Sequence, residues 1–202
     1  MTMCFHFMVY WIAYFGTKLL SFLFFPVDLH GRENVPKEGA FLLVCNHTSY
    51  LDPMIMGIVT GRRLSYMARD TLFRNPWLGF ILPRLGVFPI KRNTADKKAI
   101  RESLDRLARG LPLLLFPEGT RHGASGEKKI EAGAGFLALK KNVPVIPVYI
   151  AGSEKVLPPG AKFFKRGRIR VRFGRPLVLK DEANYEEASR KIMDAVYALP
   201  AV

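Results

Sequence analysis

The sequence predicts a single α/β domain with a central sheet, mostly parallel or mixed, and helices on both faces. A membrane-associated helix precedes it. After Pro26, short apolar runs alternate with amphipathic or charged stretches, as expected for alternating strands and helices. Turn-forming stretches such as "VPKEG" and "LPPG" separate these runs. Nearly continuous apolar runs such as "PLLLF" indicate strands buried on both faces.

Residues 1–27 are predicted to form the membrane-associated helix, and residues 28–202 the folded domain. The segment from Met3 to Val27 is rich in aromatic residues and, as a helix, would be roughly 37 Å long, enough to cross a bilayer core. No positive stretch precedes it and no small-residue cleavage site follows it, so we do not expect a cleaved signal peptide.

A helical wheel of this segment gathers its polar residues within an arc of about 120°. This pattern favours a helix lying in the membrane interface, and it leaves open a tilted single span or a helix packed on its own domain. In either membrane arrangement, the basic bulk of the chain predicts that the domain lies on the cytoplasmic face. The polar residues are His6, Tyr10, Tyr14, Thr17, Lys18 and Ser21.

The predicted strands are "AFLLVCN", "LSYMA", "GVFPI", "PLLLF", "VPVIPVYI" and "RIRVRF". Because it contains two prolines, "VPVIPVYI" is expected to be interrupted at a bulge or to lie near a sheet edge. Helices are predicted at Pro53–Thr60, Thr71–Leu82, Ala95–Arg109, Glu131–Lys141 and Ala183–Ala198.

The charge of the chain indicates an anionic partner. There are 31 Lys and Arg residues against 17 Asp and Glu, which leaves a net charge of +14. The run "AKFFKRGRIRVRFGR" would place arginines on one strand face beside Phe163 and Phe164, which suits anionic membrane lipids as well as a solvated face. We find no nucleic-acid motif, no metal-ligand spacing and no cofactor signature, and two cysteines are too few for a disulfide framework.

The stretch "VCNHTSYLDP" contains the first candidate catalytic pair. His47 follows an apolar strand in a predicted strand-to-helix loop, where ligand sites of α/β sheets form. Asp52 before Pro53 has the pattern of a helix N-cap, which alone would explain it. As a functional pair, Asp52 would hold one ring nitrogen of His47 while the other deprotonates an alcohol. Cys45 is an alternative nucleophile, although a cysteine inside an apolar strand is more often a core residue.

Two further strand ends carry charged residues. "LLLFPEGTRHG" places a turn after a buried strand, with Arg121 suited to bidentate phosphate contacts and Glu118 able to orient a neighbour. "LGVFPIKR" delivers Arg92 at the end of another strand. Each stretch alone would also fit an ordinary charged surface turn.

Together these motifs resemble the glycerolipid acyltransferase superfamily. "NHTSYLD" resembles its His-X4-Asp motif, and "GVFPIKR", "FPEGTR" and "VPVIPV" resemble its other three blocks in the family's order. The resemblance implies transfer of a fatty acyl group from acyl-CoA or acyl carrier protein to the free sn-2 hydroxyl of lysophosphatidic acid. It implies His47 as the general base and Asp52 as the residue that orients it.

The resemblance also assigns substrate-binding residues. Arg121 would bind the acceptor phosphate with Glu118 and Gly119 beside it, and Gly86 and Arg92 match the second block. Arg69 stands where the family has a lysine. His122 stands where many members of the family have serine, and glycerol-3-phosphate or another lysophospholipid is an alternative acceptor. A different class of function is a non-enzymatic basic protein that binds lipid or nucleic acid. The sequence does not specify the oligomeric state.

Overall fold

In the computed structural model, the described residues are 2–91, 96–119, 130–158, 160–161, 163–179 and 184–200, with side chains from Phe5 onward. They form one seven-stranded sheet in the order β1-β7-β6-β2-β5-β3-β4, and every neighbouring pair is parallel except β6 with β7. The predicted α/β class with a mixed sheet is confirmed. The strands are β1 (Val27–His30), β2 (Leu42–Cys45), β3 (Ser65–Arg69), β4 (Val87–Ile90), β5 (Leu113–Leu115), β6 (Val145–Ala151) and β7 (Ile169–Phe173).

Six of these strands coincide with predicted apolar runs, and β1 was missed. Its four residues lack an apolar run, and they form a strand because they pair in parallel with β7 at the sheet edge. β6 is continuous and central, so the expected interruption and edge position were wrong, but its pairing with the neighbouring chain segment does contain a bulge. Its proline, Pro147, lies where the partner has an extra residue, because Val148 pairs with Phe173 and Val145 with Leu177.

The helices are α1 (Thr2–Phe24), α2 (Asp52–Val59), α3 (Pro76–Ile81), α4 (Lys97–Ala108), α5 (Gly133–Lys141), α6 (Ser153–Val156) and α7 (Tyr185–Tyr197). The helix predicted at Thr71–Leu82 is divided into a 3-10 turn at Asp70–Arg74, then α3, then a 3-10 turn from Leu82. Pro76 keeps Asn75 extended, which separates the first two elements, and the Asn75 side chain caps α3.

Apolar side chains cover the sheet on both faces, as predicted. Alternate residues of β2 enter different layers: Leu43 and Cys45 pack with α2 residues such as Ile55, whereas Leu42 and Val44 pack beneath α4, α5 and α7. Helices on both faces therefore hold β2 and β5 rigidly in the centre, so that the loops after them start from a fixed position.

The first helix packs on its own domain with its polar side inward. Thr17 and Ser21 are buried, and the half-buried ring of Tyr10 lies 4.9 Å from the Arg63 guanidinium. The outward side is apolar, and α1 is long and apolar enough to cross a bilayer. The polar stripe found on the helical wheel is therefore mainly the surface that meets the domain.

Candidate active site

At the end of the central strand β2, the Asn46 side chain forms two hydrogen bonds with the backbone of β6. The Asn46 amide donates to the Ile150 carbonyl oxygen at 2.9 Å and accepts the Ile150 N–H at 2.8 Å. This side chain takes the place of a backbone pairing between β2 and β6, so the backbone is free to leave the sheet at the next residue. That residue is His47.

His47 and Asp52 form a close pair at this carboxyl end of the sheet. Nδ1 of His47 lies 2.8 Å from Oδ2 of Asp52, and the exposed fractions of the two side chains are 11% and 0%. The ring also stacks on Phe116, with 4.2 Å between ring centroids. Because the carboxylate only accepts hydrogen bonds, it favours the tautomer with the proton on Nδ1 and leaves the Nε2 lone pair for an incoming hydroxyl.

Asp52 closes the loop on which His47 lies. Its Oδ2 also accepts the backbone N–H groups of Thr48 and Ser49, each at 2.8 Å. The expected N-cap role was wrong, because Leu51 is the N-cap and Asp52 is the first residue of α2. The carboxylate is turned back toward the loop, which makes it part of the His47 support.

The other carboxylate oxygen of Asp52 is held by a residue that the sequence did not indicate. The Ser153 hydroxyl, fully buried at the start of α6, donates to Oδ1 at 2.6 Å. Oγ1 of Thr48 lies 3.0 Å from the same hydroxyl, and because the Ser153 proton is used on Asp52, Thr48 is the donor of that bond. Both oxygens of the buried carboxylate are therefore fixed.

Glu118, in the turn after β5, contacts the backbone of His47. Its Oε2 accepts the backbone N–H of His47 at 3.1 Å, and its Oε1 accepts the hydroxyl of Tyr197 at the end of α7. Glu118 is itself buried. It thus ties the turn after β5 to the backbone of the catalytic candidate, and α7 holds it in place.

Of the two predicted glycines, only Gly119 lies near His47 in the fold. It has a φ of +63°, which favours glycine, and its N–H closes a turn onto the Phe116 carbonyl oxygen. Gly86 precedes β4 at the other end of the sheet, where a Cβ would lie 2.8 Å from the Leu64 carbonyl oxygen. The structure explains Gly86 by backbone packing and does not bring it to His47.

Of the three arginines predicted to bind substrate, the structure describes only Arg69. Arg69 is the exposed last residue of β3, at the same carboxyl edge as His47 and two strands away from β2. Arg92 and Arg121 lie outside the described residues. Within the described ranges, no group of three or more His, Cys, Asp or Glu side chains is arranged to hold a metal ion.

Cys45 is a core residue in this structure. Its side chain is fully buried, and burial raises the pKa of the Cys45 thiol well above its ordinary value. The nearby Asp52 and Glu118 carboxylates raise that pKa further. A thiol in this environment stays protonated at neutral pH, so it is a poor nucleophile.

A family model described as Acyltransferase matches residues 26–151. The 1-acyl-sn-glycerol-3-phosphate acyltransferase of Bacillus subtilis is 28% identical over 81% of this chain and 80% of its own length. A chloroplastic protein of that name from Brassica napus, BAT2, is 27% identical over 93% of this chain. Only 56% of that plant protein is matched, so the chain spans little more than half of it.

The chain also resembles a solved structure. The crystal structure of the 1-acyl-sn-glycerophosphate (LPA) acyltransferase PlsC from Thermotoga maritima is similar with a TM-score of 0.78 and 26% sequence identity. The similarity covers 96% of this chain and 81% of that one. It therefore extends over the sheet, the loop after β2 and the N-terminal helix.

Proposed function

Because the chain belongs to the acyltransferase family, we propose that it transfers a fatty acyl group from an acyl thioester to the sn-2 hydroxyl of lysophosphatidic acid, giving phosphatidic acid. The observation that carries the proposal is the pairing of His47 Nδ1 with a fully buried Asp52 carboxylate at 2.8 Å. This arrangement leaves one ring nitrogen free to act as a general base beside the strand ends.

The reaction begins when Nε2 of His47 takes the proton of the acceptor hydroxyl. The oxygen attacks the thioester carbonyl carbon, and the positive charge on the imidazole is balanced by Asp52. The tetrahedral intermediate then expels the thiolate as the carbon–sulfur bond breaks, and the thiolate recovers the proton from His47. The chain's own residues thus supply a base and an acid in turn, and no acyl-enzyme is formed.

Rigid support of His47 favours this chemistry. The ring is held by Asp52 on one side and by Phe116 stacking, while the backbone N–H is held by Glu118. A base held in one geometry loses little entropy when the acceptor arrives, which lowers the barrier. General-base assistance of this kind typically contributes about 10²–10⁴-fold in rate.

The acceptor phosphate is proposed to bind to Arg121, with Arg92 and Arg69 as further cationic contacts. Arg69 has the support of its position at the carboxyl edge of the sheet. The donor is proposed to be acyl-CoA or acyl carrier protein. With α1 in or on the bilayer and the folded domain on its cytoplasmic side, a soluble donor and a lipid acceptor would meet at this edge.

The assignment is tested by measuring acyl transfer from labelled acyl-CoA to lysophosphatidic acid in detergent. We expect His47→Ala to lower kcat by about 10²–10⁴-fold, because the base is lost. His30→Ala is the matched control, since His30 lies in β1 at the sheet edge and is exposed. Undiminished turnover by His47→Ala would contradict the role of the base.

The same assay separates the alternatives. Cys45→Ser should leave turnover nearly unchanged if the thiol only packs, and a large loss would favour the cysteine nucleophile. Glycerol-3-phosphate and a lysophospholipid with a head group, offered in place of lysophosphatidic acid, identify the acceptor. Salt-sensitive lipid binding without turnover of any acceptor would favour a non-enzymatic lipid-binding protein.

A further inference from the structure

The outward side of α1 is a continuous apolar stripe. Met8, Ile12, Phe15, Leu19 and Phe22 are all exposed and follow the spacing of one helical face. At the N-terminal end of the stripe, the Phe5 ring lies 5.9 Å from the Phe80 ring of α3. The stripe therefore continues from α1 onto a second element of the fold.

The second element exposes a large aromatic residue next to this contact. Trp77 lies one helical turn before Phe80, and 77% of it is exposed. The Asn75 side chain and Pro76 fix the start of α3, so the position of Trp77 is set by the local chain. An apolar patch that joins two elements in this way is typical of an interaction site.

The charged residues around the apolar patch of α1 and α3 indicate which kind of surface covers it. The segments 2–24, 71–91 and 157–173 contain no Asp or Glu, although the chain has 17 acidic residues. The Arg84 guanidinium lies 3.6 Å from the centre of the Phe80 ring and 5.4 Å from that of Phe5. At the other end of α1, Phe163 is exposed and is followed closely by Lys165 and Arg166. Aromatic and apolar groups bordered by cations match an anionic bilayer surface.

We propose that α3 is a second membrane contact, inserting Trp77 and Phe80 into an anionic bilayer beside the stripe of α1. The inference rests on the membrane association proposed for α1, but it does not depend on catalysis. Contacts on two elements, α1 and α3, would fix the rotation of the domain about the α1 axis. The loop after β2 would then be held at a constant distance from the lipid surface.

The two tryptophans of the chain, Trp11 and Trp77, give a direct test. The Trp11→Phe variant carries Trp77 as its only indole. Its emission should shift to shorter wavelength with vesicles of equal parts phosphatidylcholine and phosphatidylglycerol, and brominated acyl chains should quench it. The companion Trp77→Phe variant reports on Trp11 in the same way. If Trp77 is not quenched, the proposal is overturned, even if Trp11 is quenched. A shift that depends on protein concentration without vesicles would assign the patch to a second copy of the chain and would also overturn it.

Sedimentation with the same vesicles measures the contribution of the contact. Trp77→Asp should weaken binding by about tenfold or more, because a charge replaces a large ring that would be buried in the bilayer. Ile100→Asp is the matched control, since Ile100 is an exposed apolar residue of α4 on the opposite face of the sheet. Equal binding by the two variants would contradict the proposal. Acyl transfer is measured in detergent, without vesicles. A result that contradicts the α3 membrane contact therefore does not contradict the proposed reaction.

Discussion

At the scale of single residues, the buried hydroxyl of Ser153 offers a specific test of the support around Asp52. Ser153→Ala removes the donor to Oδ1, while Oδ2 keeps its bonds to His47, Thr48 and Ser49. Hydrogen bonds to charged groups contribute about 1.5–3 kcal/mol, so kcat should fall by about tenfold or more with little change in KM.

Ser103→Ala is the control for Ser153→Ala. Ser103 is equally buried, but its hydroxyl donates to the Ala99 carbonyl oxygen within α4, away from Asp52. Both variants should lose stability in urea unfolding, and only Ser153→Ala should lose kcat. An equal kcat in the two variants would show that Ser153 only fills space.

Tyr197 provides a second residue-scale prediction. Tyr197→Phe keeps the ring near Tyr149 but removes the hydroxyl that donates to Glu118. Glu118 then has one donor fewer and holds the His47 backbone less firmly, so we expect kcat to fall a few-fold. Tyr185→Phe, on the same helix, should leave steady-state kinetics unchanged. If both variants retain full kcat, the link from α7 to Glu118 has no catalytic effect.

Whether a residue of the site could be predicted depends on its distance along the sequence from the other residues of the site. His47 and Asp52 were predictable together because they share one short loop that follows a buried strand, where ligand sites of α/β sheets form. Ser153 and Tyr197 were not predictable, because they lie 101 residues from Asp52 and 79 residues from Glu118. Their hydroxyls reach the site only through sheet pairing and helix packing, which no local pattern encodes.

At the scale of elements, α4 begins with a cap whose effect depends on pH. Asp96 accepts the N–H groups of Lys98 and Ala99 at the helix start, and that of Lys91 from the end of β4. The Lys91 bond, then the Ala99 bond, holds the pKa of Asp96 below its ordinary value. The stabilisation is therefore complete above the unfolded-state pKa, and it is lost as pH falls through the lower folded-state pKa.

Asp96→Ala should lower the free energy of unfolding by about 1 kcal/mol at neutral pH. The difference from the unsubstituted chain should shrink in acid, which urea unfolding at a series of pH values would show. Asp105→Ala, nearer the end of α4, removes a carboxylate that caps no N–H and should cause no such loss. A pH-independent deficit in Asp96→Ala would argue against the cap.

Elements with a long apolar run were predictable, and short elements were not. β2, β5 and β6 have enough consecutive apolar residues to read as buried strands, whereas β1 and α6 have four residues each and lack a period. The 3-10 turns around α3 show a different limit. Helical periodicity continues through Asn75 and Pro76, but the backbone restriction before proline decides where the helix begins.

At the scale of the whole molecule, the net charge of +14 should govern first contact with lipid. Binding to vesicles containing phosphatidylglycerol should weaken several-fold between about 0.05 and about 0.5 M salt, because salt screens exposed charges. Binding to phosphatidylcholine alone should vary little with salt. Sedimentation measures both, and a salt response that is equal on the two lipids would exclude charge as the cause.

The apolar outer side of α1 has a kinetic consequence. An enzyme held at a bilayer meets its acceptor by lateral diffusion in two dimensions, so its rate follows the number of acceptor molecules per unit area. Diluting lysophosphatidic acid with inert phosphatidylcholine at a constant bulk amount should therefore slow turnover. The product would be released into the same leaflet and would keep the phosphate of the acceptor, so turnover would preserve the negative surface charge that attracts the basic domain.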